Sequence, residues 1–205
     1  MRLFFKARSV LLCMSISILG FSLICFQSGC AAVVPGYADL NYPYTGDVEN
    51  QLKDDSELNT KIQNMIAQNY FKSSAAVKVI IDHYNVLIVG EVDSQDTKNS
   101  ISQLIKNQPS VKQYWDYTSV SAAAPVLSEN TSINKKVQSR IASEDNITLD
   151  NLQTVTIGSV VYILGNVRTD ELDNLNSAIT GINSIDGVSK VINLTQIIPY
   201  QTPDV

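Results

Sequence analysis

The chain has 205 residues, of which 44% are hydrophobic and 17% are charged, a composition typical of a globular protein with a buried core. It carries 15 basic and 20 acidic residues with no run of lysine and arginine, which argues against a general affinity for nucleic acid. His83 is the only histidine, so the sequence offers neither a histidine pair for catalysis nor a histidine-based metal cluster. It also has no glycine-rich phosphate-binding motif. We therefore predict a protein that is not an enzyme and uses no metal.

The first 29 residues predict an export signal. Three basic side chains stand near its start: Arg2, Lys6 and Arg8. The apolar run from Val10 to Phe26 has 17 residues, which is short for a membrane span of about 20. Ser28 and Gly29 then precede Cys30, a pattern that resembles a bacterial lipoprotein signal in which Cys30 is acylated. Gln27 departs from that pattern, where an aliphatic residue is usual, so an uncleaved signal anchor and an ordinary secretory signal stay open as alternatives.

Processing at Cys30 changes the chemistry of the chain. Cys13 and Cys25 leave with the signal and Cys30 becomes a thioether, so we expect a mature protein without disulfides. A covalent diacylglycerol and an N-acyl chain on Cys30 supply more than the two signals that stable membrane anchoring needs. Ala31 and Ala32 follow, rather than the aspartate of inner-membrane retention, which favours the outer membrane. Loss of the three basic residues of the signal leaves 12 basic and 20 acidic residues, a net charge of −8.

Residues 30–54 contain Pro35-Gly36 and Pro43 and show no apolar period. This predicts a tether between the anchor and the folded part of the chain. An alternative is that its three tyrosines dock on a partner or on the first domain: Tyr37, Tyr42 and Tyr44.

Residues 55–120 predict the order helix–strand–strand–helix–strand. Asp55 or Ser56 is expected to cap the first helix, and Ser94 the second. The inward-facing residues of the first helix are Leu58, Ile62, Met65, Ile66 and Tyr70, and those of the second are Ile101, Leu104 and Ile105. The predicted strands are Ala76–Asp82, half-buried by its alternation, then Val86–Val92 as its hairpin partner, and Val111–Val120.

After a linker at residues 121–128, residues 129–198 repeat this order, and a C-terminal tail occupies 199–205. The first helix has Asn130, Thr131 or Ser132 as its cap and buries Ile133, Val137 and Ile141; the second is capped by Thr169 and buries Leu172, Leu175, Ile179 and Ile182. The hairpin joins Leu152–Ile157 to Val160–Val167 through Gly158-Ser159, and Val188–Leu194 is the last strand. The three acids at the start of the second helix are expected to complement its dipole rather than to bind a cation: Asp170, Glu171 and Asp173.

The duplication is clearest in two apolar strands that end in glycine, Val86–Gly90 and Tyr162–Gly165, each followed two positions later by valine. Each repeat predicts a three-stranded sheet with both helices on one face, so the fold class is α+β. A unit of this size buries little surface alone, and packing one unit against the other would stabilise both.

The element order, the strands ending in Gly90 and Gly165, and the segment from Ile185 to Leu194 resemble the BON domain. Two such domains behind a lipoprotein signal resemble the dual BON-domain outer-membrane lipoproteins (the DolP or YraP kind) and, more loosely, periplasmic OsmY. The resemblance is weaker in the first repeat, where Pro109-Ser110 replaces the usual turn with glycine.

Two groups of residues are candidate contact sites. Tyr114, Trp115 and Tyr117 place aromatic rings on both faces of one strand, which indicates either burial between the domains or an exposed partner or membrane site. Lys135, Lys136 and Arg140 give the first helix of the second domain a basic face, and the resemblance associates that domain with anionic phospholipid.

From these observations we expect a lipid-anchored protein on the periplasmic face of the outer membrane. The resemblance implies that it contacts phospholipid or envelope proteins, supports envelope integrity and carries no cofactor beyond the acyl groups on Cys30. Two alternatives remain: a structural subunit of an envelope-spanning secretion complex, and a periplasmic chaperone-like stress protein without an anchor.

Overall fold

The computed structural model describes residues 48–145, 147 and 151–199. The predicted signal, Cys30, the three tyrosines of the tether and the tail from residue 200 therefore lie outside the described residues.

The first repeat has the predicted order of elements with one short helix added. Its elements are α1 (Val48–Asn69), α2 (Phe71–Ser74), β1 (Val77–Asp82), β2 (Asn85–Val92), α3 (Gln95–Lys106) and β3 (Gln113–Val120). Ser94 caps α3 as expected, because its hydroxyl accepts the backbone N–H of Thr97 at 3.0 Å.

The second repeat has the same order without a counterpart of α2 among its described residues. Its elements are α4 (Thr131–Ala142), β4 (Leu152–Ile157), β5 (Val160–Arg168), a 3₁₀ turn (Thr169–Glu171), α5 (Leu172–Ile182) and β6 (Lys190–Ile198). Asn130 is the cap of α4, since its side chain accepts the N–H of Ile133 at 3.1 Å.

The two repeats form two separate three-stranded sheets with the orders β1-β2-β3 and β4-β5-β6. In each sheet the first two strands pair antiparallel as a hairpin and the third pairs parallel with the central strand. Gly90 and Gly165 occupy equivalent positions, because they pair with Thr118 and Thr195 in the parallel ladders. The duplication inferred from the sequence is therefore a duplication of structure.

The two long helices of each repeat, α1 and α3 in the first and α4 and α5 in the second, pack on one face of their own sheet, as predicted. The core of the first repeat contains Leu58, Ile62, Ile66, Val79, Ile81, Val86, Ile88, Val92, Ile101 and Ile105. The core of the second contains Ile133, Val137, Ile141, Leu152, Val161, Ile163, Val167, Leu175, Ala178 and Ile182. The core residues that lie on helices recur at three- and four-residue spacing, and this spacing is why they could be predicted from the sequence.

The opposite faces of the two sheets pack against each other. This inter-sheet core, as we call it, contains the buried residues Ile80, Leu87, Val89, Val155, Tyr162, Leu164 and Leu194. Gln153 of β4 donates from its side chain to the carbonyl of Ile81 at 2.9 Å, and Lys78 of β1 pairs with Glu129 at 2.6 Å. The two domains thus share a third hydrophobic core.

Three local predictions were wrong. The first helix is not capped at Asp55 or Ser56, because α1 spans Val48–Asn69 and includes the last residues assigned to the tether. The strand β1 is not half-buried, because Ile80 faces the inter-sheet core while its neighbours face the helices.

Thr169 does not cap the second helix of the second repeat, which was the third error. The carboxylate of Glu171 accepts the backbone N–H of Arg168 at 2.9 Å and so closes the start of the 3₁₀ turn. The hydroxyl of Thr169 instead donates to the carbonyl of Ile198 at 3.2 Å.

Candidate membrane and partner contact surfaces

The aromatic residues of β3 alternate between the two faces of the first sheet. Tyr114 points to the helices, where it packs against the core and its hydroxyl lies 3.0 Å from the hydroxyl of Ser102. Burial raises the pKa of Tyr114 well above its ordinary value of 10.0. Lys106 lies over the ring at 5.4 Å from its centroid. Tyr114 is therefore engaged within its own domain.

Trp115 and Tyr117 point to the other face of the sheet. Trp115 packs against the inter-sheet core. The ring of Tyr117 lies 5.2 Å from the ring of Tyr162 in the second domain, at an interplanar angle of 56°, and Tyr117 stays 38% exposed. Of the two interpretations of this aromatic strand, burial between the domains accounts for Trp115 and for most of Tyr117.

The basic face of α4 divides into two parts. Lys135 and Lys136 are exposed. Arg140 forms an ion pair with Glu144 and donates to the hydroxyl of Ser143 at 2.8 Å. Because its guanidinium already has an anionic partner, Arg140 offers less positive charge to an external ligand than the two lysines do.

Two of the acidic residues that follow β5 form contacts just before the start of α5. Glu171 is only 5% exposed and binds the backbone of Arg168, whose guanidinium also pairs with Asp170 at 2.9 Å. Asp173 is exposed. Across the described ranges, no group of three or more histidine, cysteine, aspartate or glutamate side chains is arranged to hold a metal ion.

His83 lies in the tight turn between β1 and β2. His83 and Tyr84 both have positive φ angles, of 50° and 63°. The carboxylate of Asp55 accepts their backbone N–H groups at 2.7 and 2.9 Å. The imidazole of His83 lies 2.9 Å from the carboxylate of Asp82, and this hydrogen bond raises the pKa of His83 above its ordinary value of 6.5. This cluster holds a strained turn in place.

A polar network around Asp116 was not predicted from the sequence. Its carboxylate accepts hydrogen bonds from the hydroxyls of Ser102 and Thr118 at 2.8 and 2.6 Å, and Lys98 lies 3.5 Å away. Burial acts to raise the pKa of Asp116, but these hydrogen bonds outweigh it and hold the pKa below its ordinary value. Asp116 is therefore a charged member of the edge strand β3.

Two exposed apolar side chains were also missed. Phe71 begins α2 and is 82% exposed, and Ile197 near the end of β6 is 61% exposed. The exposure of these two side chains could not be predicted from the sequence, because an isolated apolar residue is equally compatible with a place in the core.

A cavity of about 420 Å³ lies between α1, β1 and the segment that leads into the second domain. Its lining is mixed: Gln63, Asn64, Ile66, Val79, Leu127 and the paired side chains of Lys78 and Glu129 contribute to it. The two charged groups that line the cavity are paired with each other.

Comparison with known families decides what kind of protein this is. The model of the BON domain matches residues 54–120 and again 129–199. The chain belongs to the BON domain family. The tandem BON organisation and the α+β fold predicted from the sequence are confirmed.

Two relatives resemble this tandem BON protein along most of its length. It is 24% identical to Outer membrane lipoprotein DolP of Haemophilus influenzae, over 82% of this chain and 89% of that one. It is 27% identical to an uncharacterized protein in the gshII 5′ region of Anaplasma centrale, over 70% of this chain and 95% of that one.

Among solved structures, a match has a TM-score of 0.32 at 9% identity to CdsD, a structural protein of the Type III secretion system of Chlamydia trachomatis. The match covers 72% of this chain and 65% of that one. A likeness this weak does not help to choose between functions. None of the helices in the described part of the chain is long and apolar enough to cross a membrane.

Proposed function

We propose that this BON protein is a lipoprotein of the outer membrane that faces the periplasm and acts by binding rather than by catalysis. The observation that carries the proposal is its similarity to Outer membrane lipoprotein DolP over 82% of the chain, together with Ser28-Gly29-Cys30 after an apolar signal. In this proposal Cys30 carries the acyl chains, and the two domains contact phospholipid or envelope proteins to support outer-membrane integrity.

The anchor has a direct test. Cells that express the full chain are fed radiolabelled palmitate, and the label is measured in the purified protein and in its Cys30→Ala variant. We expect label in the protein and none in the variant, because Cys30 is the only thiol beyond the apolar signal run. Equal labelling of the two proteins would show that the acyl chain is elsewhere.

The exposed pair Lys135 and Lys136 on α4 is the proposed contact with anionic lipid. Each lysine near an anionic surface contributes about 1 kcal/mol. Arg140 is expected to add less, because Glu144 neutralises it. With a net charge of −8 after processing, the protein has little general attraction for such a surface, so this local contact must supply the binding.

Vesicle flotation tests this contact. The chain without residues 1–30, carrying Lys135→Glu and Lys136→Glu, is compared with a control carrying Lys61→Glu and Lys72→Glu, which makes the same change of charge at exposed lysines of the first domain. Because neither the apolar signal nor the acyl chains are then present, the first pair should reduce flotation with phosphatidylglycerol vesicles at least tenfold. The control pair should leave flotation within twofold of the parent. Equal losses would show that net charge alone is responsible.

The alternative of a structural subunit predicts a different result on the same preparation. After gentle detergent extraction, a stoichiometric complex with other envelope proteins would favour that alternative. Recovery of the tandem BON protein by itself, with its vesicle binding intact, supports the lipid-binding proposal.

A further inference from the structure

The third strand of each domain lies at an edge of its sheet. In the orders β1-β2-β3 and β4-β5-β6, the strands β3 and β6 each have, among the described residues, one neighbouring strand and one free edge. A free edge presents unpaired N–H and C=O groups that can pair with another strand, and proteins usually protect it.

The edge of β3 is closed by side chains of its own domain. The carboxylate of Asp116 accepts the N–H of Thr118 at 2.9 Å, and the ammonium group of Lys98 on α3 donates to the carbonyl of Thr118. Lys98 and Asp116 also attract each other at 3.5 Å. The two backbone groups at the middle of this edge are therefore taken, and two opposite charges stand beside it.

The edge of β6 has an equivalent of the N–H contact but not of the lysine contact to the carbonyl. At the equivalent position, the neutral side chain of Asn193 accepts the N–H of Thr195 at 3.1 Å. The helix α5 contains no lysine or arginine, and within the described ranges no side chain donates to the carbonyl of Thr195. The strand has one charged residue, the exposed Lys190 at its start, and none from Val191 to Ile198. Over this central part of β6, two obstacles to edge pairing are missing: a blocked carbonyl and a charge.

Alternate residues of β6 point their backbone groups to the free edge. Because the N–H of Thr195 bonds to a side chain rather than to β5, this set contains Thr195 and the residues two positions apart from it: Val191, Asn193 and Ile197. Their side chains share the face that carries α5, where Val191 packs against the core and Ile197 is 61% exposed.

We propose that β6 is a self-association surface on which a second copy of this chain pairs antiparallel, edge to edge. In the symmetric register, Asn193 lies opposite Thr195 of the other copy and Val191 lies opposite its Ile197. Polar side chains then meet polar ones and apolar side chains meet apolar ones, and the one charged residue of the strand, Lys190, lies outside these pairs. The surface is thus complementary to itself, as a two-fold interface requires, and it covers Ile197.

Edge-to-edge pairing of two copies breaks one weak hydrogen bond in each copy and forms several backbone hydrogen bonds between them. Asn193 must release the N–H of Thr195, whose intrachain hydrogen bond is neutral and exposed. In return, four residues of each copy gain a backbone partner across the two-fold axis. The same exchange at β3 would break the hydrogen bonds of an ionised aspartate and of a lysine, which are stronger. This difference selects β6 over β3.

Disulfide trapping in the full chain tests the register. Residues opposite each other in an antiparallel pair have Cα atoms about 4.5–5.5 Å apart, within the range of a disulfide. The double variant Val191→Cys, Ile197→Cys should therefore form at least tenfold more covalent dimer on oxidation than either single variant, in which the new thiols are far apart. The unaltered chain measures the background from its own cysteines. A double variant that forms no more dimer than the singles overturns the proposal, as does one that is trapped to a different protein.

A charge variant tests the surface without new thiols. Ile197→Lys places a charge on the β6 edge, and Val120→Lys places one at the equivalent, 46% exposed position of β3. In sedimentation velocity of the full chain, we expect a concentration-dependent dimer that Ile197→Lys weakens at least tenfold and Val120→Lys leaves within twofold. A monomer at every concentration overturns the proposal. So does dimerisation that appears only after deletion of residues 200–205, since the tail would then occupy the edge. Unchanged thermal unfolding of both variants shows that they remain folded.

Discussion

The ring of Tyr117 in the first domain lies 5.2 Å from the ring of Tyr162 in the second. This pair lies beside a core that both domains share, in which Leu87 and Leu164 are almost completely buried. Because each sheet buries its second face against the other, the free energy that stabilises one domain depends on the other. The tandem repeat should therefore unfold in one transition.

A substitution in the second domain should accordingly be sensed in the first. We expect Leu164→Ala to cost about 2–5 kcal/mol and to change the native fluorescence of Trp115, the single tryptophan, which packs on the same core. Leu175→Ala is the matched control, since Leu175 is equally buried but lies on α5, in the core of its own domain. It should destabilise the protein without changing the native fluorescence. Urea unfolding followed by fluorescence and by far-UV circular dichroism measures both, and two separate transitions would refute the shared core.

Alanine should not be tolerated at the two glycines within the central strands β2 and β5. Gly90 and Gly165 have φ angles of +116° and +147°, and a Cβ atom would lie 2.1 Å from the carbonyl oxygen of Ala76 or 1.9 Å from that of Asn151. The backbone conformation alone costs a side chain about 1–3 kcal/mol, and the clash adds to it. Thermal unfolding of Gly90→Ala and Gly165→Ala should show losses larger than that of Gly158→Asn, where φ is +58° and nothing lies within 4 Å. Equal losses at all three would contradict this.

The hairpin turn of the first domain should depend on Asp55. Asp55→Ala leaves the N–H groups of His83 and Tyr84 without their carboxylate partner, so we expect a loss of about 1–3 kcal/mol. Asp54→Ala is the control, because Asp54 is exposed and, among the described residues, accepts a hydrogen bond from the hydroxyl of Tyr84 alone. Its effect should stay below about 0.5 kcal/mol. Urea denaturation gives both values, and an equal cost of the two changes would rule out the proposed role of Asp55.

His83 should titrate above its ordinary pKa of 6.5 because of its hydrogen bond to Asp82. A raised pKa in the folded state means that protonated His83 stabilises the fold. This contribution is complete below pH 6.5 and is lost as pH rises through the folded-state pKa. NMR titration of the single histidine checks the shift directly, and Asp82→Asn should lower the pKa. A value below 6.5 in the parent protein would be inconsistent with the observed contact.

The parts of the fold that the sequence predicted are those whose signals are local. The spacing of Ile133, Val137 and Ile141 fixed a helix face, and Gly158-Ser159 fixed a hairpin turn, because each depends on neighbours a few positions away. Asp55 looked like a helix cap but binds a turn 28 residues later in the chain. Such a partner is set by tertiary packing, which local propensity does not encode.

The candidate contact residues show the same difference between positions that depend on local sequence and positions that depend on tertiary packing. Lys135 and Lys136 were predicted on an exposed helix face and lie there. The orientation of Trp115 and Tyr117 could not be settled, since it depends on the packing of one sheet on the other. The open edge of β6 was invisible for a similar reason: it shows only when the third strands of the two repeats are compared atom by atom.

The outer-membrane location is the centre of the proposed function, and membrane fractionation tests it most directly. The full chain and its Cys30→Ala variant are expressed in a Gram-negative host, and the inner and outer membranes are separated on a sucrose density gradient. We predict that the parent protein co-sediments with the outer membrane and that Cys30→Ala does not, because without processing at Cys30 it keeps the apolar run from Val10 to Phe26. Recovery of the parent in the inner membrane, or of both proteins in the same fraction, would contradict the account.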